Sequence, residues 1–515
     1  MNAMPRPARF GLLLAAGVFL AGLWAAPPAA AQQQPGAYSR QQMPQSRNPG
    51  GPGPGNRGPG GWHPGGIGIG IGVGALLPYL VPPRQAAPYQ EPVYLDDDED
   101  DIAPRRHRQP KAAHPAKRPP KRPPATAARG GRPSGLPPAG ETRFVPDEVM
   151  FETRAGLKPQ QLDALMRRQR LTRLAEQRFG LLNATIHRAR IPAGRSVRAA
   201  LTALQRERGV SFAQPNYIYT LQQAAETASA VPATAPKPPE LLPQYAVEAL
   251  DLAAAHRIAK GGKVLVALID SGVDTGHPEL AGAIAASMDA LEEASIAPDT
   301  HGTAMAGAIV AHQQMRSVAP EAELLAARAF GGAAAKPGAQ GTSYHILRAL
   351  DWAHERKARI VNMSFAGPSD PLLKRMLAAA SKQDMILIAA GGNAGPKAAA
   401  LYPAADPAVI AVTASDAESR LYTMANRGSY IVLAAPGVDV LAAAPHAAYD
   451  FSTGTSIATA QISGIVALML EKRPDLSAAA IRKALIGSAK PLADNAKVLQ
   501  ADAAGALKAI GAAVP

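Results

Sequence analysis

Cysteine is absent from all 515 residues. That excludes disulfides, thiolate metal sites and a cysteine nucleophile. Phosphate-cradling glycine loops and zinc-ligand spacings are also missing. Beyond residue 31, no run of membrane-spanning length is free of glycine and proline. A shortage of acidic charge is confined to the N-terminal part. The net charge is +14 overall, but residues 1–140 carry +9, residues 141–240 carry +6 and residues 241–515 carry −1. The near-neutral C-terminal region gives no reason to expect a polyanionic substrate, and no nucleic-acid partner is expected.

What is present begins with a targeting pattern. Arg6 and Arg9 precede an apolar run at 10–26, and Ala29-Ala30-Ala31 leads into Gln32. This is the order of a secretory signal, with cleavage expected after Ala31 and residues 1–31 removed. The rival reading is an uncleaved anchor. The protein is therefore expected to be exported, either periplasmic or secreted.

Glycine (47) and proline (49) crowd the stretch that follows. Residues 32–140 are expected to be a disordered tail, because they cannot bury enough apolar surface to offset chain entropy. Six acids at 96–101 precede ten Lys or Arg between Arg105 and Arg132. The basic run lacks the interleaved aromatics that stack bases. Residues 65–132 are the place to look for weak membrane or cell-wall contact, although a solvated tail is the better expectation.

Residues 141–222 change character. Runs at 149–151, 183–191 and 212–221 suit strands, residues 159–179 are helix-like, and Ser196 can cap a helix carrying Val197, Ala200, Leu201 and Leu204 on one face. The pattern is a small α+β unit, β-α-β-α-β with room for a further strand. Residues 223–240, rich in Ala, Pro and Thr, are expected to be a linker.

From 241 to 515, short apolar runs at 264–269, 324–328, 360–363, 386–390, 409–412 and 431–434 alternate with helical stretches such as 343–356 and 371–382. This predicts an α/β domain: a mostly parallel central sheet with helices on both faces. In such folds the chemistry gathers at the carboxyl ends of the strands.

Candidate chemical groups fall there. Asp270 ends an apolar run and meets Ser271-Gly272. His301, in Asp299-Thr300-His301-Gly302-Thr303, opens a small-residue helix. Ser456, in Gly454-Thr455-Ser456, starts an apolar helix at 457–470. Asn393 sits on the turn Gly391-Gly392-Asn393 after a run ending at Ala390. A serine hydroxyl is a weak nucleophile until an imidazole takes its proton, and a carboxylate orients that imidazole. A serine at a helix N-terminus has backbone N–H donors beside it. With the Asn393 amide they can hold an oxyanion.

These four segments together, with Val361-Asn362-Met363-Ser364 and Tyr402-Pro403, resemble the subtilisin family of serine proteases over residues 244–490. The order Asp, His, Ser and the spacings of 31 and 155 residues agree with it. The resemblance implies a serine endopeptidase acting on polypeptides through an acyl-enzyme, with Asp270, His301 and Ser456 as the triad and Asn393 in the oxyanion hole. It implies that Gly341 and Ser364-Phe365-Ala366-Gly367 form the walls of an extended substrate cleft, with Ala390, Gly391 and Leu401 also lining it. It further implies that residues 141–222 are a propeptide serving as the intramolecular inhibitor of a self-processing precursor. No cofactor and no metal are expected. The loop 311–318 is short and lacks carboxylates where the family's tight calcium site has a longer, ligand-bearing loop, and Glu279 alone could not supply 6–8 oxygens.

Some positions depart from the family pattern. Ala460-Gln461 stands where Pro-His is usual, and Ala304 where many members have a second His. Ala366 and Leu401 stand where Gly is usual. The last two add bulk, so a shallow primary pocket preferring small residues is expected, and the Ala-rich stretch 224–235 would suit it. His277 and Asp274 are expected to serve loop structure. The alternative for the whole chain is a binding protein of the envelope or surface on the same fold, with little or no protease activity.

Overall fold

The computed structural model describes residues 135–221, 244–292, 299–331 and 339–511. The signal, most of the tail and the expected linker lie outside the described residues. Of two units, Met1–Arg118 and Pro119–Pro515, the second contains every described residue.

The first described elements are β1 (Phe144–Thr153), α1 (Pro159–Gln169), β2 (Thr172–Phe179), β3 (Ala184–Arg190), α2 (Val197–Leu204) and β4 (Val210–Leu221). The strands form an antiparallel sheet in the order β4-β1-β3-β2. Strand side chains alternate between faces, and here both faces are covered. Val149 and Phe151 of β1 pack with Leu165 of α1 and Leu201 of α2. Met150, between them, joins Ile186 and Phe179 in a second core with Leu347 and Met376 of the larger unit. Ser196 caps α2 as expected, accepting the Ala199 N–H at 3.2 Å.

Residues 159–179 do not form one helix. Arg170 adopts a left-handed conformation (φ 53°), and Leu171 N–H bonds back to Met166 O at 2.9 Å. That closes α1, and the chain then enters β2, the further strand. The packed unit also starts earlier than residue 141: Gly135 is buried, Leu136 joins its core and Arg198 Nη2 donates to Pro137 O at 2.7 Å.

The remaining elements are α3 (Tyr245–Ala249), α4 (Leu252–Ala255), β5 (Leu265–Asp270), β6 (Ile284–Asp289), α5 (Thr300–Val310), β7 (Glu323–Arg328), β8 (Gln340–Thr342), α6 (Ser343–Glu355), β9 (Ile360–Met363), β10 (Phe365–Ala366), α7 (Pro371–Lys382), β11 (Ile386–Ala390), β12 (Val409–Ser415), β13 (Ile431–Pro436), β14 (Val440–Ala444), β15 (Ala448–Ser452), α8 (Thr455–Lys472), α9 (Ala478–Ser488), β16 (Lys490–Pro491), β17 (Leu499–Gln500) and α10 (Ala503–Ala509). The main sheet runs β16-β17-β13-β12-β11-β9-β5-β7-β6, parallel except at β16. Its strands read as continuous apolar runs because each face meets helices. Val266, Leu268, Ile388 and Val412 face a core shared with α5 and α8. Ala267, Ile269, Leu387 and Ala411 face one shared with α6 and α7.

Strand β5 sits between β9 and β7, so connections leave it in both directions. The crevice at its carboxyl end is the switch point where α/β folds hold their chemistry. Asp270 occupies that end. Among the described residues no helix is long and apolar enough to cross a membrane.

Strand β4 belongs to two assemblies. Its first part pairs with β1. Its last residues, from Ile218 to Leu221, run antiparallel between β8 and β10 of the larger unit, with Tyr219 opposite Gly341, Thr220 opposite Ala366 and Leu221 opposite Phe365.

Candidate active site

Asp270 is fully buried at the end of β5. Its Oδ1 accepts the Ser271 N–H at 2.8 Å and lies 2.6 Å from His301 Nδ1. That contact puts the imidazole proton on Nδ1 and leaves Nε2 as the basic nitrogen. Nε2 is buried and has no hydrogen-bond partner among the described residues. Burial works against a charged imidazole here. The charge and hydrogen bond of Asp270, with Asp299 adding, outweigh it and raise the His301 pKa above 6.5.

His301 lies in the first turn of α5, and Asp299 caps that helix. Asp299 Oδ1 accepts the His301 N–H at 3.0 Å and the Ser271 hydroxyl at 2.7 Å, and Ser271 Oγ accepts the Gly302 N–H at 3.0 Å. This bracing ties the end of β5 to the start of α5. Sequence reasoning gave neither Asp299 nor Ser271 a role. The available signal was an Asp just before a small-residue helix, an ordinary cap signature.

Ser456 sits in the first turn of α8. Gly454 precedes that helix at φ 147°, a conformation in which side-chain-bearing residues are strained. The Ser456 hydroxyl donates to Ser364 O at 3.2 Å, and Ser364 Oγ donates to Ser456 O at 3.2 Å. Beneath them Asn362 Nδ2 donates to Ser364 Oγ, and Ser463 Oγ donates to Asn362 Oδ1. The nucleophile candidate therefore rests on a buried, mutually bonded polar layer. The structure thus brings Asp270 and His301 into direct contact, while the Ser456 hydroxyl is turned to the cleft wall.

Asn393 is fixed through its carbonyl, which accepts the Thr455 N–H at 3.0 Å and the Thr455 hydroxyl at 2.9 Å. Gly392 N–H in turn donates to Thr455 Oγ1 at 3.1 Å. Thr455 thereby locks the Asn393 turn to the residue preceding Ser456, a positioning role the sequence did not reveal. Such a fixed amide can hold charge developing on an attacked carbonyl without reorganising.

The substrate-wall candidates lie around the end of β4. Gly341 is in β8, Phe365 and Ala366 form β10, and Ser364 touches Ser456. Gly367 exchanges hydrogen bonds with Tyr402 at 2.8 and 3.1 Å, next to the cis Tyr402–Pro403 bond. That brings half-buried Leu401 alongside the wall. Ala390 ends β11, and Gly391 follows with its N–H on Val412 O and its carbonyl on the Tyr430 hydroxyl. His277 is engaged at both nitrogens, accepting Glu279 N–H and donating to Ala448 O. Asp274 caps loops through Gly276 N–H and His446 N–H.

The residues around loop 311–317 do not fit calcium. Glu279 is fully buried. Its carboxylate accepts the N–H groups of Gln313, Gln314 and Met315 at 2.7, 2.7 and 3.0 Å and the Tyr449 hydroxyl at 2.8 Å. Gln244 brackets Arg316 through both backbone groups. Both oxygens of the one carboxylate face donors, the opposite of a cation cage.

Comparison with known proteins agrees with this geometry. The profile described as Subtilase family matches residues 261–505. Subtilisin DY of Bacillus licheniformis is 32% identical over 243 residues, covering 46% of this chain and 87% of the relative. The major intracellular serine protease of Bacillus subtilis (strain 168) is 34% identical over 224 residues, 41% of this chain and 69% of the relative. Among solved structures, fervidolysin from Fervidobacterium pennivorans, a keratinolytic enzyme related to subtilisin, superposes with a TM-score of 0.61 at 21% identity, covering 74% of this chain and 63% of that one. That last likeness concerns the fold. The chain belongs to the subtilase family and is a subtilisin-type serine protease acting on polypeptides.

Proposed function

We propose that the chain is an exported endopeptidase made as a self-processing precursor, with Asp270, His301 and Ser456 as its triad. In this reading His301 Nε2 takes the proton from Ser456 Oγ as that oxygen attacks a peptide carbonyl. Asp270 holds the tautomer and stabilises the imidazolium. Asn393 and the Ser456 backbone N–H hold the oxyanion, and the protonated imidazole then gives its proton to the leaving amine. Water hydrolyses the acyl-enzyme by the same route in reverse order. The 2.6 Å contact of His301 with Asp270 supports the orienting role.

The observation that carries the precursor reading is the double membership of β4. One strand completes the sheet of the small unit and fills the cleft between β8 and β10 as an added strand. Residues 141–222 then act as an inhibitor that occupies the site until it is released.

The test compares the exported wild type with Ser456→Ala on a denaturing gel, with mass spectrometry of the fragments. The wild type should split within 221–243 and the variant should stay whole. Identical splitting of both would assign processing to another protease. The fragment end also separates two expectations. A substrate keeping the β4 register has the residue after the Phe365 partner at Ser364, beside Ser456; in this sequence that residue is Gln222, so the fragment would end there. A pocket restricted to small residues by Ala366 and Leu401 would instead cut among the alanines of 224–235.

A further inference from the structure

The end of β4 buries one side chain more deeply than the enzyme's own chemistry demands. Tyr219, opposite Gly341, is fully buried. Its ring meets Phe365 edge-on, with centroids 5.9 Å apart at 86°, and Phe365 in turn lies against Phe330 at 4.8 Å. Gly367 makes room for the ring, since a Cβ there would stand 2.4 Å from it. The pocket does not end in an apolar wall. The Tyr219 hydroxyl donates to the carbonyl of buried Pro368 at 3.1 Å. Burial first, and nearby Asp370 second, push the phenol far above its ordinary pKa, so the hydroxyl stays a donor at any working pH.

We infer that Phe365, Gly367 and the Pro368 carbonyl form a tyrosine-reading subsite, so that preferred substrates carry tyrosine three residues before the residue whose carbonyl is attacked. The inference rests on the proposed endopeptidase reading, with substrates binding as β4 does. The offset follows from register. Leu221 opposes Phe365, so the next residue of a bound strand opposes Ser364, whose carbonyl meets Ser456 Oγ. Aromatic area alone would accept phenylalanine equally. The Pro368 carbonyl does not. Phenylalanine would bury that oxygen without its partner, and sites built to bond a hydroxyl discriminate strongly against the analogue lacking it.

The test uses the full chain after export, with internally quenched peptides identical except at this position. Tyrosine should exceed phenylalanine in kcat/KM by about ten-fold or more, and O-methyltyrosine, which cannot donate, should fall with or below phenylalanine. In Gly367→Ala the added Cβ takes the ring's space, so the tyrosine preference should collapse toward small side chains. Cleavage with phenylalanine equal to or above tyrosine overturns the inference alone. So does an unchanged tyrosine preference in Gly367→Ala. Failure to cleave any peptide, with Ser456 unlabelled by a fluorophosphonate, overturns the protease reading and this inference with it.

Discussion

At the scale of single residues, His301 is held between burial, which disfavours its charge, and two carboxylates that favour it. The balance raises its pKa above 6.5. A general base must be neutral, so kcat/KM on an uncharged peptide should fall as pH drops through a value above 6.5. Asp299→Asn keeps a good cap for α5 but removes one of the raising charges. The acid limb of the pH profile should then move to lower pH, and an unmoved limb would mean that Asp299 only braces the helix. The same shift has a stability side. Protonated His301 favours the fold fully below its unfolded value near 6.5, and that contribution disappears as pH rises through the higher folded value. The reactive groups were legible in the sequence because each lies in a short motif at a strand end or helix start. Asp299, Ser271 and Thr455 were not, because their partners come together only when β5, α5, α8 and the Asn393 turn meet.

At the scale of elements, legibility followed side-chain type. The β-branched and Leu-rich runs of β5, β9 and β11 stood out because strands buried on both faces read as unbroken apolar runs. Strand β6 did not, being an edge strand of mixed exposure. The β14–β15 hairpin was also missed. Alanine supplies most of β14, and alanine carries no strand preference. Its turn passes through His446 (φ 66°) and Ala447 (φ 58°), where Asn-Gly would have announced it. The turn is held instead by the His446 N–H on Asp274 Oδ2 at 2.8 Å. Replacing the pair by Asn-Gly should relieve left-handed strain and raise stability by about 1 kcal/mol, read as a higher denaturant midpoint at unchanged slope. No gain would show that the surrounding contacts had already absorbed the strain.

For the whole molecule, the contacts between the small unit and the larger one are polar as well as apolar. Asp351 of α6 accepts the N–H groups of Gly180 and Leu181, and Gln214 bonds both Asp370 and the Leu372 N–H. None of this was readable from periodicity, since it joins segments more than 150 residues apart. Glu279 is the comparable device within the larger unit. Glu279→Gln would leave some of the three backbone donors of loop 313–315 without a good acceptor, costing roughly 2 kcal/mol. The expected result is a Tm lowered by several degrees that added calcium does not restore; a restored Tm would mean that the loop can take an ion after all. A bound ion stabilises by mass action: its contribution grows with its concentration and vanishes when it is scavenged. A carboxylate carried on the chain is always present at the same local concentration. This loop should therefore keep its shape through dilution, dialysis or a chelating medium.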